Sequence, residues 1–284
     1  MELIRSIEKM AARSRKALEQ KKIIGFVPTM GSLHEGHLSL VRRAKKECDL
    51  VVVSVFVNPS QFGPQEDFAA YPRNLKQDCR LLQTVKADII FYPEAAAVYP
   101  KNYRTCVQIE GLLTKKLCGF FRPEHFKGVT TIVAKLFNIV LPQRAYFGQK
   151  DAQQCVVLKK MAADLNFPVE VITLPTVREK DGLALSSRNK YLSLEERRQA
   201  PELYQALLVA RKMIERGERN ISKVEKAMKT RLSAIKNLTI QYASVVDGET
   251  LDSGKIISGN ILIAIAVILG KTRLIDNLIL KVKK

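Results

Sequence analysis

The 284-residue chain has only three histidines, five cysteines, and no apolar run long enough to span a bilayer. Each scarcity excludes something. Cys48, Cys79, Cys106, Cys118 and Cys155 are scattered and form no C-x-x-C pair, so they offer neither a disulfide framework nor a zinc site. They read as reduced packing residues of a cytosolic protein. The most apolar stretch, ILIAIAVIL at Ile261 to Leu269, is about half the length of a membrane-spanning helix, and its β-branched residues predict a buried strand. Residues 1–20 carry an amphipathic helical pattern instead of the apolar core of a signal peptide. Repeats, low-complexity tracts, Pro/Gly-rich linkers and arginine-rich tails are all missing. With 46% hydrophobic and 26% charged residues, the composition is that of a soluble globular protein.

What is abundant is positive charge, a net +19. A nucleic-acid partner is the obvious rival implied by such a balance. Yet Arg42, Arg43, Lys45 and Lys46, like Arg211, Lys212 and Arg216, sit on helical patterns, where they form a solvated face. A basic surface equally suits anionic small molecules.

Short apolar segments alternate with helical ones over the first two thirds of the chain. Strands are expected at Lys22 to Val27, Leu50 to Val57, Asp88 to Tyr92, Arg144 to Phe147 and Val169 to Leu174. Helices are expected at His37 to Cys48, Leu75 to Val85, Thr130 to Leu141 and Ala152 to Leu165. This alternation predicts an α/β fold with a Rossmann-like doubly wound parallel sheet, whose ligands bind at the carboxyl ends of the strands. After about Arg178 the texture changes to two long helices, Leu194 to Arg216 and Ile221 to Ile235, followed by three strand patterns. A smaller α+β domain is expected over residues 179–284, closing over a nucleotide-binding domain of residues 1–178.

The expected strand ends carry the unusual residues. PTMGSLHEGHLSLV places His34 and His37 three residues apart at a strand-to-helix junction, where free N–H groups and the helix dipole attract phosphate. VNPSQFGPQEDFAAYPRN offers the amides of Asn58 and Gln61, then a segment with Glu66 and Asp67 suited to covering a site. AYFGQKDAQQ brings Gly148, Lys150, Asp151 and Gln154 to another strand end. At the expected domain boundary, DGLALSSRN supplies Ser186, Ser187 and Arg188, a donor cluster that fits polyphosphate. His125, between Arg122 and Lys127, reads as a structural polar residue, with Gly128 expected just before a helix. Any one of these loops has an ordinary alternative, such as a helix cap or a surface ion pair.

Taken together, and with FRPEHFKGV, SVVDGETL and the closing TRLIDN, these segments resemble the pantothenate synthetases over nearly the whole chain. The resemblance implies a ligase that adenylates pantoate with Mg²⁺ and ATP and couples it to β-alanine, acting as a cytoplasmic homodimer. It assigns His34, His37, Lys150, Ser186, Ser187 and Arg188 to the ATP phosphates, with His37, His34, Lys150 and Arg188 as the catalytic set. Gly148 and Asp151 would hold the ribose, while Pro28, Met30, Gln61 and Gln154 would bind pantoate, with Met30 also contacting ATP. No metal ligand is assigned, and nucleic acid is not an expected partner. Ser32 stands where the motif commonly has Ala, and Leu185 where Met is usual. An adenylating enzyme of the same superfamily with another acid substrate is the alternative.

Overall fold

The computed structural model describes residues 1–64 and 66–282. The chain runs β1 (Glu2–Ile4), α1 (Ile7–Glu19), β2 (Ile24–Thr29), α2 (Glu35–Glu47), β3 (Leu50–Val55), α3 (Leu75–Thr84) and β4 (Ile89–Phe91). It continues with α4 (Ala95–Val98), α5 (Cys118–Phe121), α6 (His125–Val140), β5 (Arg144–Gly148), α7 (Ala152–Asp164) and β6 (Glu170–Leu174). The remainder is α8 (Leu194–Gln199), α9 (Glu202–Glu215), α10 (Ile221–Ser233), β7 (Leu238–Asp247), β8 (Gly259–Leu269) and β9 (Thr272–Val282).

The first six strands form one parallel sheet in the order β1-β4-β3-β2-β5-β6. Side-chain alternation sends Phe26, Val52 and Phe91 into a core with α1 and α6, and Val27, Val53 and Ile90 into one with α2 and α3. Both faces are thus covered, which explains why the β3 sequence is almost continuously apolar. From β2 the chain winds outward one way through β3 and β4, and the other way through β5 and β6. The switch point falls between β2 and β5, so a crevice opens at their carboxyl ends.

The last three strands form an antiparallel sheet, β7-β8-β9. Odd-numbered β8 residues such as Ile263 and Ile265 pack on α9 and α10, while Leu262 and Ala264 pack on Ala152 and the segment holding Leu113. ILIAIAVIL is apolar throughout because both of its faces are buried.

Three expectations need correction. Residues 2–4 are not helical: they add a sixth strand beside β4, with Ile4 fully buried, and α1 starts after its Ser6 cap, whose Oγ accepts from the Lys9 N–H at 3.0 Å. The helix expected from Thr130 begins at His125, so Gly128 lies inside it. Its missing side chain is what the packing needs, since a Cβ there would sit 2.3 Å from the Ser60 carbonyl oxygen. The single helix expected over Leu194 to Arg216 is broken into α8 and α9, because Pro201 has no N–H to continue the ladder.

Candidate active site

The loop after β2 turns sharply at Gly31 and Ser32, both with positive φ, before α2 begins. A buried carboxylate holds this turn: Asp78 of α3 accepts from the Ser32 N–H at 3.1 Å and the Leu33 N–H at 2.8 Å. Burial raises the Asp78 pKa, and the two N–H bonds oppose that rise. Asp78 is a positioning group that the sequence reading missed. Its signal was present, since a carboxylate shares the buried stripe of α3 with Leu82 one turn on.

His34 caps α2, its Nδ1 accepting from the Gly36 N–H at 3.2 Å. His37 Nδ1 accepts from the His34 N–H at 3.3 Å. Because both Nδ1 atoms are acceptors, the neutral rings carry their protons on Nε2. A Cβ at Gly36 would lie 2.9 Å from the His34 ring and would push that ring out of its capping position. Burial, reinforced by Lys150, pushes the His34 pKa down to about 4, and burial, reinforced by His34, holds His37 well below the ordinary imidazole value. Both imidazoles are therefore neutral N–H donors at physiological pH.

These rings line a cavity of about 220 Å³ at the switch point. Pro28 and Met30 come from the end of β2, and Gln61 from the turn Pro59–Gln61 after β3. Gly148 ends β5, Lys150 and Asp151 lie on the next turn, and Gln154 sits in the first turn of α7. Ser186, Ser187 and Arg188 close the cavity from the segment before α8. The structure thus brings every site residue singled out in the sequence to one wall or another of this space. A second cavity of about 850 Å³ adjoins it, sharing Gln61, Arg122, His125, Lys150, Asp151 and Arg188, and extends to Arg273 and Asp276 of β9.

The contacts refine each side chain. Gln61 is held by Asn58, whose Nδ2 donates to Gln61 Oε1 at 3.1 Å and to the Gly128 carbonyl at 3.1 Å. Asn58 is oriented in turn by the Tyr99 hydroxyl, which donates to its Oδ1 at 2.8 Å. Ser186 Oγ caps its own turn through the Arg188 N–H at 3.2 Å, and Ser187 Oγ meets the Tyr71 hydroxyl at 3.1 Å. Arg188 donates to both carboxylate oxygens of Asp67, at 3.0 and 2.8 Å. Lys150 Nζ is 3.8 Å from Asp151 Oδ1, too loose to tie up the ammonium.

His125 stands behind Gln61. Its Nδ1 donates to the Gln61 carbonyl at 3.0 Å, which leaves Nε2 to accept from Arg122 Nη1 at 3.1 Å. Burial, helped by the Arg122 charge, pushes its pKa down to about 3. Arg122 Nε also donates to Glu66 Oε1 at 2.7 Å. The acidic segment therefore lies against the cavity, Glu66 on Arg122 and Asp67 on Arg188; Gln65 falls outside the described residues.

Residues 2–279 match the family model described as pantoate-beta-alanine ligase. The chain belongs to the pantoate–β-alanine ligase family. It is accordingly a ligase. It is 54% identical over 282 residues to the pantothenate synthetase of Fervidobacterium nodosum, covering 99% of each chain. Its structure superposes on pantothenate synthetase from Thermus thermophilus with a TM-score of 0.93 at 46% identity, over 98% of this chain and 99% of that one. The pantoate–β-alanine ligase of Francisella tularensis, solved in complex with β-γ ATP and β-alanine, matches with a TM-score of 0.79 at 33% identity, covering 98% and 97% of the two chains. Among the described residues no helix of this ligase is long and apolar enough to cross a membrane, and no three His, Cys, Asp or Glu side chains gather to hold a metal.

Proposed function

We propose that this ligase condenses D-pantoate with β-alanine to give pantothenate, AMP and pyrophosphate through a pantoyl adenylate. One observation carries the reading: two neutral imidazoles with free Nε2–H donors share a cavity with the cations Lys150 and Arg188 and the amides Gln61 and Gln154. The complex of the Francisella relative with ATP and β-alanine supports the same substrates here.

In this reading the pantoate carboxylate attacks the α-phosphorus of ATP, and the bond to pyrophosphate breaks. Charge gathers on the phosphoryl oxygens, where His34, His37 and Lys150 donate, while Arg188, Ser186 and Ser187 hold the leaving pyrophosphate. Gly148 and Asp151 bind the ribose. Gln61 and Gln154 hold pantoate by its hydroxyl and carboxylate groups, with Pro28 and Met30 against its methyl groups. The amine of β-alanine, having lost a proton, then attacks the acyl carbon and AMP leaves. No protein atom bonds to substrate, so the catalytic contribution is placement and charge neutralisation.

Mg²⁺ is a hard ion that binds through substrate phosphates and few carboxylates. With no cluster of protein ligands among the described residues, Mg²⁺ would enter in this reading with the phosphates of ATP. We further assign residues 1–178 to the nucleotide- and pantoate-binding domain and 179–284 to the domain that closes over it. The enzyme is read as a cytoplasmic homodimer without a nucleic-acid partner.

Pantoate labelled with ¹⁸O in its carboxylate tests the intermediate. One labelled oxygen should appear in AMP for each pantothenate formed. Label in inorganic phosphate instead would mean an acyl phosphate and would overturn the adenylate.

A further inference from the structure

β9 belongs to the small antiparallel sheet, yet it carries a buried polar pair, Asp276 and Asn277, each 3% exposed. Asn277 spends its whole side chain on the turn Gln149–Asp151. Its Nδ2 donates to the Gln149 and Lys150 carbonyls, both at 2.9 Å, and its Oδ1 accepts from Gln149 Nε2 at 3.2 Å. Carbonyls only accept, so the atom facing them must be the amide nitrogen, whose two N–H groups reach both carbonyls. Next to it, Arg178 fixes the strand by donating to Asp276 at 2.6 and 2.9 Å and to the Asn277 carbonyl at 3.3 Å. The Arg178 guanidinium lies over the Tyr204 ring, 3.9 Å from its centre.

A buried amide on a strand is costly unless every polar atom is matched, and here every one is. What it holds is the short connection from β5 into α7, the segment that presents Lys150 to the cavity. Among the described residues, no other hydrogen bond joins the small sheet to the main chain of a site residue.

We infer that Asn277 is a positioning residue for Lys150, acting from the small sheet through the Gln149 and Lys150 carbonyls. The inference rests on the phosphate-binding reading of Lys150 under Proposed function. It makes the small sheet part of the adenylation machinery and accounts for the D-N of TRLIDN, since Asp276 and Arg178 anchor the strand while Asn277 sets the turn.

The test is a double-mutant cycle on pantoate-dependent pyrophosphate release, using the full-length enzyme with Lys150→Ala, Asn277→Ala and the double variant. Asn277→Ala should lower kcat by about 10- to 100-fold, the scale of a displacement near 1 Å. In the Lys150→Ala background the same change should cost less than about twofold, because the group it positions is gone. A purely structural amide would instead give multiplying losses, and that result would overturn the inference. If Lys150→Ala leaves pyrophosphate release unchanged, the phosphate role of Lys150 fails, and the inference falls with it. Thermal denaturation checks folding. Asn277→Ser, which keeps one donor, serves where the alanine variant does not fold and should give the same pattern at smaller amplitude; multiplying losses with it would overturn the inference equally.

Discussion

His34 and His37 lie with ring centroids 4.1 Å apart, each accepting a main-chain N–H on Nδ1. The capping contacts of α2 are thereby also the device that fixes both tautomers, leaving Nε2–H free. Replacing His37 with alanine should lower kcat for pyrophosphate release by about 10²–10³, the scale of losing one preorganised donor. Near-normal adenylate formation in His37→Ala would contradict the donor role.

The histidines also set a pH dependence of stability. His34 is held down to about 4 and His125 to about 3, chiefly by burial. An unfolded histidine titrates near 6.5, so just below about pH 6.5 the unfolded chain binds protons that the folded chain refuses. The contribution is fully present above about pH 6.5 and is lost progressively as pH falls towards the folded values. The urea midpoint should therefore drop between about pH 7 and pH 5, before most carboxylates titrate. A flat midpoint across that range would contradict the neutral, buried assignment.

Asp67 occupies the Arg188 fork that polyphosphate would need. The pair is bidentate and about a quarter exposed on each side, so its worth is on the order of 1 kcal/mol. Asp67→Asn should tighten ATP binding by up to about fivefold, measured by calorimetry, as one competitor for Arg188 is removed. Weaker ATP binding would mean that Asp67 orients Arg188 and does not compete for it.

Gly128 lets α6 touch the turn that carries Gln61. A methyl group there meets the Ser60 carbonyl at 2.3 Å and the Gln61 Cα at 2.6 Å, both backbone. Gly128→Ala should destabilise the protein by about 1–3 kcal/mol and raise the pantoate KM more than the ATP KM. Equal changes in the two KM values would argue against a pantoate role for Gln61.

Much of this was legible from periodicity, because β3 and ILIAIAVIL are buried on both faces and three of the four loops follow strand ends, the fourth lying between β6 and α8. The parts that were not legible depend on partners distant in sequence. Glu2-Leu3-Ile4 is too short to signal a strand without β4 beside it, and merges into the helical pattern of α1. His125 opens α6 because Phe126 finds a buried place, which no local pattern states. Asp78 and Asn277 act on main-chain groups 45 to 46 and 127 to 128 residues away, so their roles appear only once the sheets are assembled.

The central claim, that pantoate is adenylated before β-alanine reacts, is tested most directly by pyrophosphate release from ATP and Mg²⁺ with D-pantoate, first without β-alanine and then with it. The account predicts a pantoate-dependent burst close to one pyrophosphate per site, becoming steady turnover with AMP formed once β-alanine is added. Pyrophosphate that appears only when both acid and amine are present would contradict a separate adenylation step.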